Sequence, residues 1–525
     1  MSSFPYLTVT IAAPLVGVAA IAALPKGRTS LARPVALVAS LITLGFAIAD
    51  TVAFKTGGPR FQLAEDYAWI PSFHIDYSVA VDGVALVLIL LAAVLVPVVL
   101  LAAWHDTEEH VPGVEDGTRS VRAYFSLILV LETMMIAVFA ANDIFLFYVV
   151  FEALLIPGYF LIGSFGGERR SYAAVKFLLY NLLGGLLMLA AVIGLYVITT
   201  RSSLGGTFNF QTLSKAVADG TLTMSGPTEK WLFLGFFVAF AVKAPLWPFH
   251  TWLPDAAAEA TPGTAVLLVG VLDKIGTFGM LRFCLELFPN ASHFFTPLVL
   301  VLAVISTIYG ALLAVGQTDI KRLIAYTSVS HFGLITLGVF ALTARGQVGA
   351  TLYMVNHGLS TGALFLLAGF MISRRGSGSV DAYGGVQKVA PLLAGTFLVA
   401  GLSSLALPGL SSFVSEFLVL VGTFEKYPAA AIVGTTSIVL AALYILWLYQ
   451  RTMTGPVAKS VEGFKDLNRR ELAVITPLLA LIIALGFVPS LLTNYINPAI
   501  SKTPAISQTL HQPSVAANQS NGSGQ

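Results

Sequence analysis

The sequence predicts an all-α polytopic membrane protein of about fourteen transmembrane helices. Three observations carry that reading. Of the 525 residues 56% are hydrophobic and 11% charged, whereas a soluble globular chain carries about 25% charged residues. Apolar windows of about 20 residues, the length that crosses the hydrocarbon core, recur from one end of the chain to the other. Basic residues, in turn, crowd into alternate connections between those windows.

The same composition excludes other classes. Lys and Arg (29) nearly balance Asp and Glu (27), for a net charge of +2. No basic block marks a nucleic-acid partner. The single cysteine, Cys284, sits in an apolar run. One thiol makes no internal disulfide, iron–sulfur site or Cys-rich zinc site, so this chain is not expected to carry electrons. It also has no His-Glu-x-x-His pattern, carboxylate-rich calcium loop, phosphate-binding glycine loop or dinucleotide fingerprint.

Taken in order, the windows lie at about 6–24, 34–54, 79–103, 121–140, 143–164, 174–199, 230–252, 263–288, 295–315, 321–343, 347–371, 391–423, 428–450 and 471–493. The first is too long and too weakly charged at its start for a cleaved signal peptide, and reads as a retained helix. Segments 55–78 and 200–229 are the larger loops, neither big enough for a domain. Window seven runs into Ala244-Pro-Leu-Trp-Pro-Phe-His-Thr-Trp-Leu-Pro254, and window twelve contains Leu407-Pro-Gly409. Proline removes a backbone donor and collides with the preceding turn, so both windows are expected to be broken helices. Paired interruptions in two halves of a membrane protein point to a transport pathway. The tail, 501–525, is rich in Ser, Asn, Gln and Gly and reads as disordered.

Ionisable residues fall near the middles of several windows: Glu132, Glu152, Lys243, Asp273, Lys274, His331, His357 and Glu416. Each costs about 2.5–3.5 kcal/mol at a helix centre on insertion scales. One acid–base pair is as readily structural as functional. A series of Glu, Lys, Lys, His, His and Glu over six windows favours a midplane proton relay. Glu152 is the expected modulator of Lys243, Lys274 follows, and His331 and His357 are intermediate carriers. Glu132 reads equally as a second acid or a structural partner. His250 reads as a cap for the broken backbone more than as a carrier. Asp273 faces away from its neighbour Lys274 and is expected to meet another helix. Lys176 and Arg282 are expected to snorkel from window ends. His74, His105, His110, His293 and His511 read as solvated residues.

The stretch Lys243-Ala-Pro-Leu-Trp-Pro-Phe-His-Thr-Trp-Leu-Pro-Asp-Ala256, with Asp273-Lys274-Ile-Gly276 after it, resembles the antiporter-like membrane subunits of respiratory complex I. The resemblance extends through Phe145-Leu-Phe-Tyr-Val-Val-Phe-Glu152, Lys321-Arg-Leu-Ile-Ala-Tyr-Thr-Ser-Val-Ser-His331 and Asn356-His357-Gly-Leu-Ser, covering about residues 80 to 490. In this family the L and N subunits, and the D subunit of sodium/proton antiporters, typically carry lysine in window twelve, and the M subunits glutamate. Glu416 therefore places this chain nearest the M branch, as does the absence of a long lateral helix at the C-terminal end.

The resemblance implies a proton-translocating membrane-arm subunit of a bacterial NADH–quinone oxidoreductase, a translocase part that is itself non-redox. It implies Glu152 and Lys243 as a coupled pair, Lys274 and the two histidines as the relay, and Glu416 as the terminal exchange site. It also implies no cofactor in this chain, with NADH, FMN, iron–sulfur clusters and quinone in partner subunits. The expected partners are L-like and N-like membrane-arm subunits and lipids. Two inverted five-helix repeats are expected at 121–290 and 291–450, after three N-terminal helices (1–120) and before a connection with the last helix (451–500). Two departures stand out. Ala260-Thr-Pro262 replaces Pro-Thr-Pro, and Phe278 stands where a tyrosine hydroxyl often helps to position water near Lys274. The competing readings are a sodium/proton antiporter subunit, a membrane-bound hydrogenase-type subunit, and a non-conducting scaffold.

Eighteen Lys and Arg fall in or beside connections that follow odd-numbered windows, eight fall on the opposite side, and three lie inside windows. The positive-inside rule then orients both termini away from the cytoplasm, in a bacterial cytoplasmic membrane. A phosphatase that folds only outside the cytoplasm should be active when fused after residue 503 and inactive when inserted at 104–120. The reverse pattern would invert the topology.

Overall fold

The computed structural model describes residues 4–108 and 120–503. His110, His511 and the expected disordered tail beyond residue 503 lie outside the described residues.

The chain opens with two antiparallel helices, α1 (Tyr6–Ala22) and α2 (Ala32–Ala53). Next comes a β-hairpin of β1 (Gln62–Ile70) and β2 (Ile75–Val81), inside the expected first large loop. Glu65 of β1 accepts the Leu7 N–H at 2.8 Å, satisfying an otherwise orphaned donor at the start of α1. Then follow α3 (Gly83–Ala102) and α4 (Val121–Ala140). The fifth window is two helices, α5 (Ile144–Ala153) and α6 (Leu155–Phe165). Pro157 explains the break, because it offers no N–H to the carbonyl of Ala153 and its ring crowds that carbonyl. After α7 (Arg170–Thr200) and the short α8 (Phe210–Ala218), α9 (Gly226–Lys243) ends at the proline cluster and the helix resumes as α10 (Trp252–Glu259).

The eighth window is α11 (Pro262–Leu267), α12 (Lys274–Gly279) and α13 (Leu285–Leu287), joined by π-helical stretches at Leu268–Leu272 and Met280–Cys284. The long helices α14 (Pro289–Val315), α15 (Ile320–Phe340) and α16 (Ala344–Arg375) follow. The twelfth window is broken as expected, into α17 (Pro391–Ser404) and α18 (Ser411–Phe424). The chain then runs through α19 (Pro428–Met453), α20 (Arg469–Phe487) and α21 (Ser490–Ser501).

By length and composition, eleven helices among the described residues are able to cross a membrane. The count becomes twelve if Val380–Lys388 and Pro391–Ser404, bent by 113°, form one span. The expected fourteen is not reached by this measure, for identifiable reasons. Tyr6–Ala22 and Ser411–Phe424 are shorter apolar helices, and α9 carries Glu229, Lys230 and Lys243. Window fourteen is among the eleven, ending at Phe487 before Pro489 turns the chain into α21.

The two breaks share three internal hydrogen bonds, position for position. At the first, the N–H groups of Ala244, Leu246 and Phe249 reach the carbonyls of Phe240, Ala241 and Leu246. At the second, those of Leu405, Leu407 and Leu410 reach Gly401, Leu402 and Leu407. The halves also share an isolated bridge, Asp143 with Asn209 and Asp319 with Ser379. Both aspartates cap the helix that follows. These matches are the local signature of an internal repeat.

Packing sorts the spans. Pro262–Leu287, Ile320–Phe340 and Ala344–Arg375 are almost wholly enclosed by other helices, whereas α7, α14 and α19 leave more than half of their apolar windows outside. The three enclosed spans are also the least apolar of the eleven. Polar side chains are tolerated there because protein, not lipid, surrounds them.

Arg282 does not snorkel. It is buried, donates to Asp82 at 2.7 Å and lies over the rings of Phe61, Phe210 and Phe278. Arg60 completes the cluster, with Glu286 at 2.5 Å and Asp82 at 3.4 Å. Burial alone would raise the Asp82 carboxyl, but Arg282 and Arg60 hold it below its usual value. Lys176 does not snorkel freely either, since it meets Asp255 at 2.7 Å, with Arg322 on the other carboxylate oxygen at 2.6 Å. Both basic residues found acids brought close only by folding.

Asp82 also caps α3, accepting the N–H groups of Val84 and Ala85. Asp82→Asn keeps a good cap but strips the negative charge from two buried arginines. It should cost about 3–5 kcal/mol, read as a lowered unfolding midpoint of the detergent-solubilised protein. An unchanged midpoint would show that the cluster does not support the fold.

Candidate functional site

The enclosed helices bring most of the expected relay into one string. Lys274 begins α12, directly after a π-helical stretch that leaves the Val269 carbonyl within reach of its ammonium. Such π-helical irregularities are frequent at functional sites. The Lys274 Nζ also lies 2.7 Å from His357 Nδ1 on α16. The His357 ring stands edge-on to His331 of α15, with centroids 5.2 Å apart. His331 Nε2 lies 3.3 Å from the Tyr444 hydroxyl on α19. Its ring is also 5.8 Å from that of Tyr353, whose hydroxyl donates to Glu416 Oε2 at 3.4 Å. Lys274, His357, His331 and Glu416 thus follow one another, with two tyrosines as links. All six residues are buried.

Sequence reasoning missed both tyrosines. Tyr353 had a usable signal, since it lies four residues before His357 and therefore on the same helix face. Tyr444 had none, because only the packing of α19 brings it to His331.

The other half of the series is looser. Glu152 lies in the last turn of α5, just before the break at Pro157. No ion pair within 4.0 Å joins it to Lys243, although the two lie within electrostatic range. The Glu152 carboxylate rests against Gly185 of α7, where an added Cβ would lie 1.6 Å from Oε1. Lys243 is the last residue of α9, buried, with no hydrogen-bond partner for Nζ and the Phe151 ring 4.9 Å away. Asp273 is completely buried, accepts no hydrogen bond, and acts electrostatically on both Lys243 and Lys274. It therefore does face another helix, through Lys243 of α9, at electrostatic range and without a contact. Glu132 is equally buried and neither carboxylate oxygen has a hydrogen-bond partner.

His250 does not cap the broken helix. Its Nδ1 has no hydrogen-bond partner and its ring contacts are with Tyr309 and Tyr326. The Trp252 indole N–H takes the capping part, donating to the Val242 carbonyl at 2.9 Å. Ser306 accepts the Trp247 N–H at 3.3 Å. At the second break the Asn356 amide donates to the Ser411 carbonyl at 2.7 Å. Phe278 stacks edge-on with Phe139 and lies under Arg282, so its missing hydroxyl belongs to the arginine side of α12 rather than to Lys274. Of the other histidines, His74 and His293 are exposed and His105 pairs with Glu108 at 2.7 Å.

Gly185→Ala tests the seat of Glu152. Only the end of a flexible side chain stands in the way, so the protein should fold. The displaced carboxylate should nevertheless lower proton transport by the intact assembly. Unchanged transport would show that the position of Glu152 does not matter.

A family model described as NADH:quinone oxidoreductase/Mrp antiporter, transmembrane, matches residues 141–441. NADH-quinone oxidoreductase subunit M of Mycobacterium tuberculosis is 52% identical, covering 98% of this chain and 97% of that protein. Subunit M of Rhodobacter capsulatus is 39% identical, covering 93% of this chain and 94% of its own length. A chain of respiratory complex I from Thermus thermophilus with bound NADH superposes with a TM-score of 0.84 at 30% identity, covering 95% of this chain and 99% of that one. A chain of the Mrp complex from Dietzia sp. superposes at 0.82 and 21% identity, covering 97% and 100%, which speaks for the fold alone. The chain belongs to the NADH:quinone oxidoreductase/Mrp antiporter transmembrane family.

Proposed function

We propose that this multi-pass membrane protein is the M-type, proton-translocating subunit of an NADH–quinone oxidoreductase, and that its redox chemistry is done elsewhere. The flavin, iron–sulfur clusters and quinone belong to partner subunits, and L-like and N-like subunits flank it. The observation that carries the reading is the buried string Lys274–His357–His331–Glu416 with its two tyrosine links. The similarity to subunit M proteins supports the redox-driven form over the gradient-driven antiporter.

Electron transfer in the partners reaches this chain as a shift in charge and conformation. Glu152 is placed to respond, since it stands beside a helix break and in range of Lys243. Drawn towards Lys243, it stabilises the ammonium. Withdrawn, it leaves a desolvated cation beside the rings of Phe151 and Phe177 with no hydrogen-bond partner, and desolvation favours release of the proton. Asp273 makes the next site, Lys274, attractive to that charge. From there imidazole and phenol groups pass protons on to Glu416. Moving one charge against 100 mV requires about 2.3 kcal/mol, so the driving partners are obligatory.

Glu152→Gln keeps shape and removes the charge. In the assembled complex it should nearly abolish NADH-driven proton pumping while leaving electron transfer from NADH to an artificial acceptor intact. Tyr353→Phe, which cuts the link to Glu416, should lower pumping less severely. Near-normal pumping by the Glu152 variant in a stable complex would remove its proposed role.

A further inference from the structure

One carboxylate outside the relay joins helices of both halves. Asp255 lies in α10, the continuation of the first broken helix. Its Oδ2 accepts from the Lys176 ammonium of α7 at 2.7 Å, and its Oδ1 from the Arg322 guanidinium of α15 at 2.6 Å. The Asp255, Lys176 and Arg322 side chains are 14%, 19% and 26% exposed, too sheltered to behave as a surface pair that salt screens away. Phe249 and Leu410 are matched positions of the two breaks, and counting on six residues from each reaches Asp255 and Glu416. The same place in the two halves thus holds a relay end, hydrogen-bonded by Tyr353 at 3.4 Å, and an acid locked between two cations.

Both cations stand on helices that position relay groups. Lys176 precedes Gly185, the seat of Glu152, by nine residues on α7, and Arg322 precedes His331 by nine on α15. Each interval is roughly 14 Å of axial rise. Beside Gly185, Gly184 packs on α9, where an added Cβ would lie 3.1 Å from Ala239 Cα and 3.5 Å from the Cβ of Val242, the residue before Lys243. Adjacent glycines of α7 therefore touch Glu152 and the helix that ends at Lys243. The placement of α7 sets how far the Glu152 carboxylate stands from the Lys243 ammonium.

We propose that Asp255 is a positioning residue for the Glu152–Lys243 pair, its carboxylate fixing α7, through Lys176, to the half-helix behind Lys243 and to α15 of the second half. This role rests on the proton-pumping reading above and names what holds the modulator of that pump in place. Asp255 itself passes no proton. Loss of its charge leaves the Lys176 and Arg322 cations facing one another without the anion between them, and removing one partner of a sheltered charge cluster exposes the full repulsion of the rest. That repulsion drives α7 away from α10 and α15. The seat of Glu152 moves with α7, while Lys243 stays with the broken helix.

The test uses the whole complex in proteoliposomes, with NADH-driven proton pumping measured against NADH oxidised. Asp255→Asn keeps the outline and removes the charge, Asp255→Glu keeps the charge, and Lys176→Met cuts the tie to α7 alone. The Asn and Met variants should lower the protons pumped per NADH severalfold, with electron transfer to an artificial acceptor unchanged, and the Glu variant should recover most of the loss. Gly185→Ala displaces the same Glu152 carboxylate, so adding it to Asp255→Asn should lower the ratio no further than the worse single variant. A general loosening of the bundle would instead multiply the two losses, and that result overturns the role. So does parental stoichiometry in Lys176→Met, or a Glu variant as impaired as Asn. If Asp255→Asn does not assemble, Lys176→Met, alone and with Gly185→Ala, decides. Glu152→Gln serves as the control for the underlying reading. If it pumps at parental stoichiometry, the relay has failed and Asp255 has nothing to position. A defect in Glu152→Gln beside normal Asp255→Asn and Lys176→Met removes the Asp255 role alone.

Discussion

Two helices stop inside the bundle, and the rest of the structure must satisfy the backbone groups they abandon. In a hydrocarbon environment each orphaned N–H or carbonyl costs several kcal/mol. Part of the answer is the same at both breaks, a short set of turn bonds around Leu246 and Leu407. Trp252 serves the Val242 carbonyl left at the end of the first broken helix, and at the second Asn356 adds a side-chain bond to the Ser411 carbonyl at the start of the continuation. Lys243 ends one broken helix, and Glu416 lies in the continuation of the other. The irregular backbone and the ionisable groups occupy the same places because both require enclosure by protein.

That enclosure separates two kinds of buried charge. Arg60, Asp82, Arg282 and Glu286 are mutually paired, with their charges cancelled at contact distance. Such a cluster holds the hairpin, α3 and the end of the eighth span together, and no proton needs to move through it. The relay groups are different in kind. Lys243, Asp273 and Glu132 have no hydrogen-bond partner on their charged atoms, and Glu152 lacks one on Oε1. A group held by weak neighbours changes its charge state at lower cost than one locked in a salt bridge. Incomplete pairing is therefore the property that fits these residues to carry protons.

Much of this arrangement was legible from residue types. The prolines at 245, 248 and 408 announced the broken helices, and mid-span Lys, His and Glu announced the relay, because the energetic penalty for each depends on burial rather than on fold. The Pro157 break was not legible in the same way, because the single prolines Pro14, Pro97 and Pro477 lie inside unbroken helices. Arg282 misled for a physical reason. A long basic side chain near a span end can reach water or a buried acid, and its sequence does not say that Asp82, two hundred residues away, is the nearer solution. His250 misled likewise, since proximity in sequence to a break does not direct a side chain at the freed carbonyl.

By itself the sequence determined the membrane class, the helical spans, the two interruptions and the list of ionisable groups that cannot face lipid. These follow from local composition and from backbone chemistry that acts within a few residues. The tertiary structure decided which groups meet. It set Tyr353 and Tyr444 between the histidines and Glu416, put Gly185 under Glu152, and left Glu152 and Lys243 apart. It also converted Arg282 from a presumed surface anchor into the centre of a buried cluster. Those outcomes depend on the register of helices distant in the chain, which side-chain packing selects and local sequence does not encode.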